Sequence, residues 1–596
     1  MSGPTFLGLD ASTQSLKASL LSSDLDVLRE LAVNFDADLP HYGTRGGVLH
    51  GPKGSGEVFS PVMMVVEAMD LLFERIKAAG WDLSSVRGAA AAGQQHASVY
   101  WSQDTEAILR SVDGGLPLHS QLSGAFSRGV IPNWQDSSTT AECRALEAAC
   151  GGPDGLARAT GSKAHERFTG AQIMRFRRVD PDGYAKTSRI SLVSSFITTL
   201  LCLDGEVKGI DESDACGMNL WTMDTAQRGW NDKVLAAIDP GMGLGEKLGK
   251  VETDTGRVVG KIGSWFVQRY GFDPECCVFP GTGDNPATFL SLTLLPGEGL
   301  VSLGTSDVVL VSTESYNPHP EYHAFFHPAQ IAPPSVQDDD KREVGPIRYF
   351  NMLVYKNGSL AREHVRDEYY AKSWDAFNAA VESGRPKTGS DLPDQAAFWW
   401  LLPDIIPDGA HGTYKYVSPR TGSGTSDAAA ARRVPEFPDV QTNALAILES
   451  QLLNYRARSS AILDSAQGLS RVYATGGAAK NGTIVSLMAD VLGAEVCKNV
   501  EFDPETGKWD DANWNACSVG MAYKARWGWE RHTTDRKWAS FDEVIQECRQ
   551  RRARTRGSAS GEDEGIRVVA KPGPGAAAYD RSVEWWQALE QRALKE

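Results

Sequence analysis

Leu7-Gly8-Leu9-Asp10-Ala11-Ser12-Thr13-Gln14 is the stretch on which the reading of this chain turns. Thr5–Asp10 has the alternating, apolar character of a strand, and Leu16–Leu21 returns after the turn. Together they predict a β-hairpin whose tip runs from Asp10 to Ser15. About halfway along the chain the design recurs. Gly299-Leu300-Val301-Ser302-Leu303-Gly304-Thr305-Ser306-Asp307, followed by Val308–Ser312, is again strand, hydroxyl-rich tip, strand. One such hairpin opening each half predicts a duplicated α/β domain with a ligand clamped between the copies. Serine and threonine hydroxyls with exposed turn amides can cradle phosphate, and an aspartate at the strand end can hold Mg²⁺ through water. A plain hairpin with a polar tip uses the same residues, so either copy alone leaves both readings open.

A second stretch, Gly281-Thr282-Gly283-Asp284-Asn285-Pro286-Ala287, follows the apolar run Cys276–Phe279 and precedes an apolar, helix-like segment over Ala287–Leu295. Its glycines let a reactant approach the backbone, and Pro286 is expected to restrict Asn285 to extended geometry. Asp284 is a candidate catalytic base there, although an aspartate in such a turn also serves simply as a turn former. Val86–Ala92 reads as a buried small-residue strand that opens into Gly93-Gln94-Gln95-His96. Ligands gather beyond the carboxyl ends of strands in α/β sheets, and two amides with an imidazole suit a polyhydroxylated ligand.

Trp134-Gln135-Asp136-Ser137-Ser138 is expected to cap a helix over Thr139–Ala149. Arg167, ahead of a helix over Ala171–Arg178, can reach a sugar hydroxyl or a phosphate, or form a surface ion pair. Arg471–Ala474 is a short strand running into Thr475-Gly476-Gly477, with Asn481 and a helix over Thr483–Leu492 beyond, a place for backbone to meet a nucleotide. Pro61–Ala79 has helical apolar spacing, Ala512–Lys524 is a small-residue helix suited to close packing, and Tyr579–Lys595 is an amphipathic last helix.

The length of 596 residues predicts at least two domains. Hydrophobic content of 41% and charged content of 23% are those of a soluble globular protein. A formal net charge of -16 argues against broad binding to nucleic acid or anionic membrane, though local backbone dipoles can still hold a nucleotide. Met1–Leu9 carries no leader pattern and no segment reads as a membrane span. The nine cysteines lack a C-x-x-C pair, which fits reduced thiols in a cytoplasmic protein. No Walker A pattern occurs, so any use of ATP must follow another design. The basic run Arg549–Arg556 reads as a solvated loop entering a polar stretch, Gly557–Glu564, and Pro333–Arg342, Glu382–Asp394 and Thr421–Pro438 read as surface insertions.

Taken together, Leu9–Gln14, Gly281–Pro286, Ser302–Ser306 and Ala474–Ala478 resemble the FGGY carbohydrate kinases. Phe35–Pro40, Gly93–His96 through Trp101, Asp136–Thr140, Glu166–Gly170, Ile190–Phe196 and Lys356–Leu360 are similar to xylulose kinases within that family. The likeness runs from Phe6 nearly to the C-terminus. It implies an α/β chain of two RNase H-like, actin/hexokinase-like ATPase domains flanking a deep cleft. Residues 1–290 would form a sugar-binding domain with the catalytic Asp, and residues 291–596 a nucleotide-binding domain. It further implies ATP-dependent phosphorylation of D-xylulose, with a kinase for another ketose or polyol, or a non-catalytic sugar-binding protein, as alternatives.

Carried onto matching positions, the resemblance makes Asp284 the base for the 5-hydroxyl. Gln95, His96, Arg167, Asp284 and Asn285 would line the sugar, and Asp10 would position Mg²⁺. Ser12, Thr13, Thr305 and Ser306 would face the phosphates. Gly476, Gly477 and Asn481 would contact the nucleoside, with Trp374 as a neighbour. The sequence leaves the oligomeric state open.

Overall fold

The computed structural model describes residues 3–241, 243–331, 346–419, 427–465, 468–503, 506–555 and 565–596. The opening hairpin forms from Thr5–Ala11 and Ser15–Ser22, with Asp10 opposite Lys17. Val27–Asn34 extends it antiparallel on one side, and Val86–Gly93 adds in parallel on the other, Ala11 beside Gly93. Cys277–Val278 and Thr282–Gly283 then run parallel to Val86–Gly93, within a sheet that has seven strands among the described residues.

Thr5–Ala11 is buried along its whole length, which is why its sequence is almost continuously apolar. Leu7, Leu9, Ala89 and Ala91 share a core with the helices Val62–Ala78 and Val193–Cys202. Phe6, Ala90 and Ala92 belong to a second core with the helix Ala516–Thr533. That helix packs very close. A Cβ on Gly8 would lie 1.7 Å from the Ser518 carbonyl oxygen, and one on Gly520 would lie 2.0 Å from that of Ala287. Only glycine fits at either position. The small residues expected to make a helix from Ala512 mark this seam, although the helix itself starts at Ala516 behind an Asn515 cap.

The second hairpin forms from Glu298–Leu303 and Asp307–Thr313. Tyr349–Tyr355 extends it antiparallel, and Arg471–Thr475 adds in parallel, Ser302 beside Thr475. Both sheets therefore hold three antiparallel strands with a parallel strand beside the first of the hairpin. This is the duplication that the two hairpins predict.

Packing divides the chain into two units. The first holds Met1–Thr293 with the described residues of 325–347 and 513–564; the second holds Leu294–Ala324, Arg348–Ala512 and Gly565–Glu596. The expected division after residue 290 lies close to the break after Thr293. The late helix Ala516–Thr533 nevertheless joins the first unit, because its small-residue face is buried on the first sheet.

The arginine-rich run differs from expectation. As far as it is described it is not a loop but the end of the helix Phe541–Thr555. Arg549 donates to Thr293 Oγ1 at 2.8 Å, Arg551 to Asp24 at 3.0 Å and Arg552 to the Leu25 carbonyl at 3.3 Å. Long apolar stems let arginines cover a core while their heads find partners, so the run is amphipathic despite its charge. The last helix is two, Ala576–Asp580 and Val583–Ala593. Arg556–Glu564, Pro333–Arg342 and residues 420–426 lie outside the described residues. Among the described residues, no helix is long and apolar enough to cross a membrane.

Candidate active site

Three strands of the first unit end in register at Ala11, Gly93 and Gly283. Asp284 is the first residue of the helix Asp284–Leu292, with Gly283 as its N-cap. The helix thus begins ahead of the expected Ala287, and Asn285 is helical rather than extended. Pro286 falls in the first turn, where its missing N–H has no intrahelical partner to lose. A carboxylate at this position also faces the positive end of the helix dipole.

Asn285 holds that carboxylate. Its backbone N–H and its Nδ2 donate to Asp284 Oδ1 at 2.7 and 3.0 Å, and Nδ2 also donates to Gln95 Oε1 at 3.1 Å. Gln95 Nε2 is buried and has no hydrogen-bond partner among the described residues. Burial, and then the charge of Asp10, push the Asp284 carboxyl up to about 7. Asp10 is fully buried. Its Oδ2 accepts from Ser12 Oγ at 2.5 Å and lies 3.8 Å from Lys17 Nζ, while its Oδ1 has no partner among the described residues. Burial raises this carboxyl too. An orphaned, buried carboxylate oxygen beside a hydroxyl-rich tip is a donor set that a hard divalent cation satisfies.

His96 has a left-handed backbone, φ 70°, a strain that clusters at functional sites. Its Nδ1–H donates to the Gly217 carbonyl at 2.6 Å, which makes Nε2 the acceptor of the neutral ring. The ring stacks on Phe168 at 4.2 Å, and the Arg167 guanidinium lies 5.4 Å from the same ring. Arg167 forms no ion pair among the described residues, and burial brings its pKa down to about 10. The structure therefore gathers Gln95, His96, Arg167, Asp284 and Asn285 at one edge of the first sheet. Ser12 and Thr13 stand at that edge as well, and Thr13 Oγ1 accepts from Trp134 Nε1 at 2.9 Å.

Asp136 does not cap the next helix, which runs over Thr140–Ala149 behind Thr139. Its oxygens accept instead from Val58 N–H, Ser138 and Gln172 Nε2, at 2.6 to 2.9 Å. It ties three segments together.

In the second unit the tip Gly304-Thr305-Ser306 exposes both hydroxyl residues. Gly476, at φ 86°, lies against the strand that enters this tip; a Cβ there would be 2.4 Å from the Leu303 carbonyl oxygen. Gly477 has open space around it. Asn481 caps the helix Gly482–Leu492, and its Nδ2 donates to Asn378 Oδ1 at 2.9 Å. Asn378 sits on the helix Trp374–Gly384, so Asn481 and the helix opened by Trp374 are neighbours. Trp374 itself packs against Arg366 and Phe377.

Two buried groups escaped the sequence reading. Arg362 is buried and grips Asp307 with both arms, at 2.6 and 2.9 Å. Lys524 is buried in the small-residue helix, 2.7 Å from Asp211. A lone lysine among alanines and glycines was the available signal for the second; nothing in the local pattern marked the first.

Residues 129–291 match the N-terminal domain, and residues 299–506 the C-terminal domain, of the FGGY family of carbohydrate kinases. A probable D-xylulose kinase A of Aspergillus fumigatus is 38% identical over 612 residues, covering 100% of this chain and 98% of the relative. D-xylulose kinase A of Aspergillus niger is 38% identical over 619 residues, covering 100% and 99%. Among solved structures, a ligand-bound xylulose kinase of Lactobacillus acidophilus superposes with a TM-score of 0.69 at 13% identity, covering 99% of this chain and 98% of that one. That likeness carries the fold: two α/β domains of the actin/hexokinase-like kind.

Proposed function

The chain belongs to the FGGY family of carbohydrate kinases, and we propose that it transfers the γ-phosphoryl group of ATP to the 5-hydroxyl of D-xylulose. The substrate class rests on the full-length relatives, which are named for D-xylulose. The observation that carries the chemistry is the half-buried Asp284 carboxyl, pushed up to about 7 and steadied by Asn285. A base with that pKa matches a task performed near neutral pH.

In this reading Gln95 Nε2 donates to a sugar oxygen, and His96 Nε2 accepts from a hydroxyl. Arg167 reaches a further oxygen from above Phe168. Asp284 takes the proton of the 5-hydroxyl as its oxygen attacks the γ-phosphorus, and ADP leaves with the electrons of the broken P–O bond. Phosphoryl transfer asks for alignment and charge stabilisation rather than covalent work from the protein. In the first unit Ser12 and Thr13 offer hydroxyls and turn amides to phosphate, and in the second unit Thr305 and Ser306 offer the same. Gly477 leaves room for the nucleoside, and Asn481 borders it. Asp10 would hold Mg²⁺, directly or through water, and the bound ion would neutralise charge on the phosphates.

The test is a coupled assay of ADP release with ATP and Mg²⁺ across D-xylulose, D-ribulose, glycerol and gluconate. The expected result is a kcat/KM for D-xylulose at least about tenfold above the others, the discrimination that one well-placed hydrogen bond provides. A higher value for another acceptor would reassign the substrate within the family. No ADP release with any sugar would make this a binding protein.

A further inference from the structure

A buried cluster that the proposed chemistry does not use lies against the strand that precedes Asp284. Lys524 Nζ donates to Asp211 Oδ2 at 2.7 Å, and neither side chain is exposed at all. Asp211 Oδ1 accepts from Thr282 Oγ1 at 2.7 Å, and from the backbone N–H groups of Ser213 and Asp214 at 3.1 and 3.3 Å. Thr282 belongs to the short strand Thr282–Gly283, which leads directly into Asp284. Asp214 accepts from Ser194 Oγ at 2.5 Å, and its Oδ1 would lie 2.8 Å from a Cβ on Gly283. The charges that face Lys524 are those of Asp211, Asp214 and Asp254. Asp254 is held by Arg531 at 2.7 and 3.0 Å, so Asp211 is the direct partner of Lys524.

Stability does not account for this pair. Desolvation costs several kcal/mol per ion, and a buried pair is often no more stabilising than hydrophobic residues of the same volume. Methionine or leucine would fill the Lys524 site among glycines and alanines at less cost. What the ion pair provides, and apolar residues cannot, is a directed acceptor for the Thr282 hydroxyl.

We infer that Lys524 and Asp211 are positioning residues: their ion pair fixes Thr282, and through the end of that strand it fixes where the Asp284 carboxylate meets the sugar hydroxyl. The inference rests on the reading of Asp284 as base. A misplacement of about 1 Å at a reacting group costs roughly 10²-fold in rate. Gln95, His96 and Arg167 stand on other elements, so the larger effect of the pair falls on kcat and the smaller on the KM for sugar.

The test compares full-length Lys524→Met, Asp211→Asn/Lys524→Met and Asp211→Leu/Lys524→Met, with kcat normalised to D-xylulose-binding stoichiometry from calorimetry. Lys524→Met leaves a buried carboxylate unpaired, and its kcat per site is expected to fall about tenfold or more while the KM for D-xylulose stays within about twofold. The Asp211→Asn/Lys524→Met enzyme is uncharged and can still accept from Thr282, so its kcat should recover to within about threefold of the parent. The Asp211→Leu/Lys524→Met enzyme is equally uncharged but can accept neither that bond nor those of the Ser213 and Asp214 N–H groups, and it should stay slow. If Lys524→Met fails to fold, the contrast between the two double variants decides. Equal kcat per site in the Asn and Leu double variants, or KM rising in step with any loss of kcat, overturns the inference. Failure of the underlying reading is seen separately, as an Asp284→Asn enzyme that keeps its turnover.

Discussion

The two hairpins share a plan and differ in how their aspartates are treated. Asp307, at the second tip, accepts from both arms of Arg362, from Tyr455 Oη at 2.6 Å and from Gly304 N–H at 3.1 Å. Asp10, at the first, has one hydroxyl at 2.5 Å, a lysine at 3.8 Å, the Asn515 side chain nearby and a buried oxygen without a hydrogen-bond partner among the described residues. A satisfied buried carboxylate belongs to the architecture, and an unsatisfied one is poised for something that arrives. The lesson is that duplicated sheets can carry the same hydroxyl-rich tip while only one copy keeps its charge available. Asp284, raised by burial and by Asp10, stands with the available group.

That contrast can be broken most directly at Asp284. Asp284→Ala should lower kcat about 10²–10⁴-fold, the range for loss of a general base, with unfolding transitions unchanged or shifted upward. Turnover near normal would remove Asp284 from the base role. Asp10→Asn comes next: kcat should fall about 10²-fold, the scale of lost transition-state charge stabilisation, and the protein without ligands should become more stable at pH 8. The sign follows from burial. Asp10 is held above its ordinary pKa, so its ionised form costs stability that the neutral amide does not.

Asp307→Asn should do the reverse. It leaves Arg362 as a buried cation without its carboxylate, which costs about 3–5 kcal/mol of stability. Thermal denaturation would show this as a transition lower by about 10 °C. If both aspartate variants move stability in the same direction, the distinction between an available and a satisfied carboxylate fails.

Much of this was legible in advance, and the exceptions have physical causes. The strand of each hairpin, the strand before Gln95 and the Gly476-Gly477 turn all announce themselves by apolar runs that stop at glycine or hydroxyl residues. Asp284 was legible as a candidate, but its setting was misread, because proline is a helix breaker everywhere except in the first turn. Arg549 and Arg552 were misjudged because charge hides amphipathicity when the apolar part of the residue is its stem. The roles of Lys524, marked only as a lone lysine among small residues, and of Arg362, not marked at all, were hidden for a different reason. Their meaning lies in partners far away in sequence, Asp211 and Asp307, and no local pattern carries a long-range ion pair.

The pH dependence sharpens the role of Asp284. With a carboxyl pushed up to about 7, kcat/KM should fall about tenfold per unit as pH drops below that value, because the protonated acid cannot accept the hydroxyl proton. Stability should run the opposite way. The fold favours the protonated form, so its contribution is complete below the ordinary value of 3.8 and is lost as pH rises through about 7. Asp284→Asn should therefore be more stable than the parent at pH 8 and equal to it at acid pH, measured without ligands. A parent enzyme whose acid limb lies near pH 4 would show that Asp284 is an ordinary solvated carboxylate.

The smallest effect is expected at His96, and it separates holding the sugar from reacting with it. The ring is pinned at Nδ1 by the Gly217 carbonyl and on its face by Phe168, and in the proposed reading it adds one hydrogen bond to the sugar. Loss of a single neutral hydrogen bond is worth about 0.5–1.5 kcal/mol, so His96→Ala should raise the KM for D-xylulose roughly tenfold or less and leave kcat within about twofold. His96→Asn, which keeps an acceptor but not the ring, should fall between the two. A fall in kcat as large as that of Asp284→Ala would place His96 in the chemistry itself, and the available charge at the first sheet edge would then not be the sole agent of proton transfer.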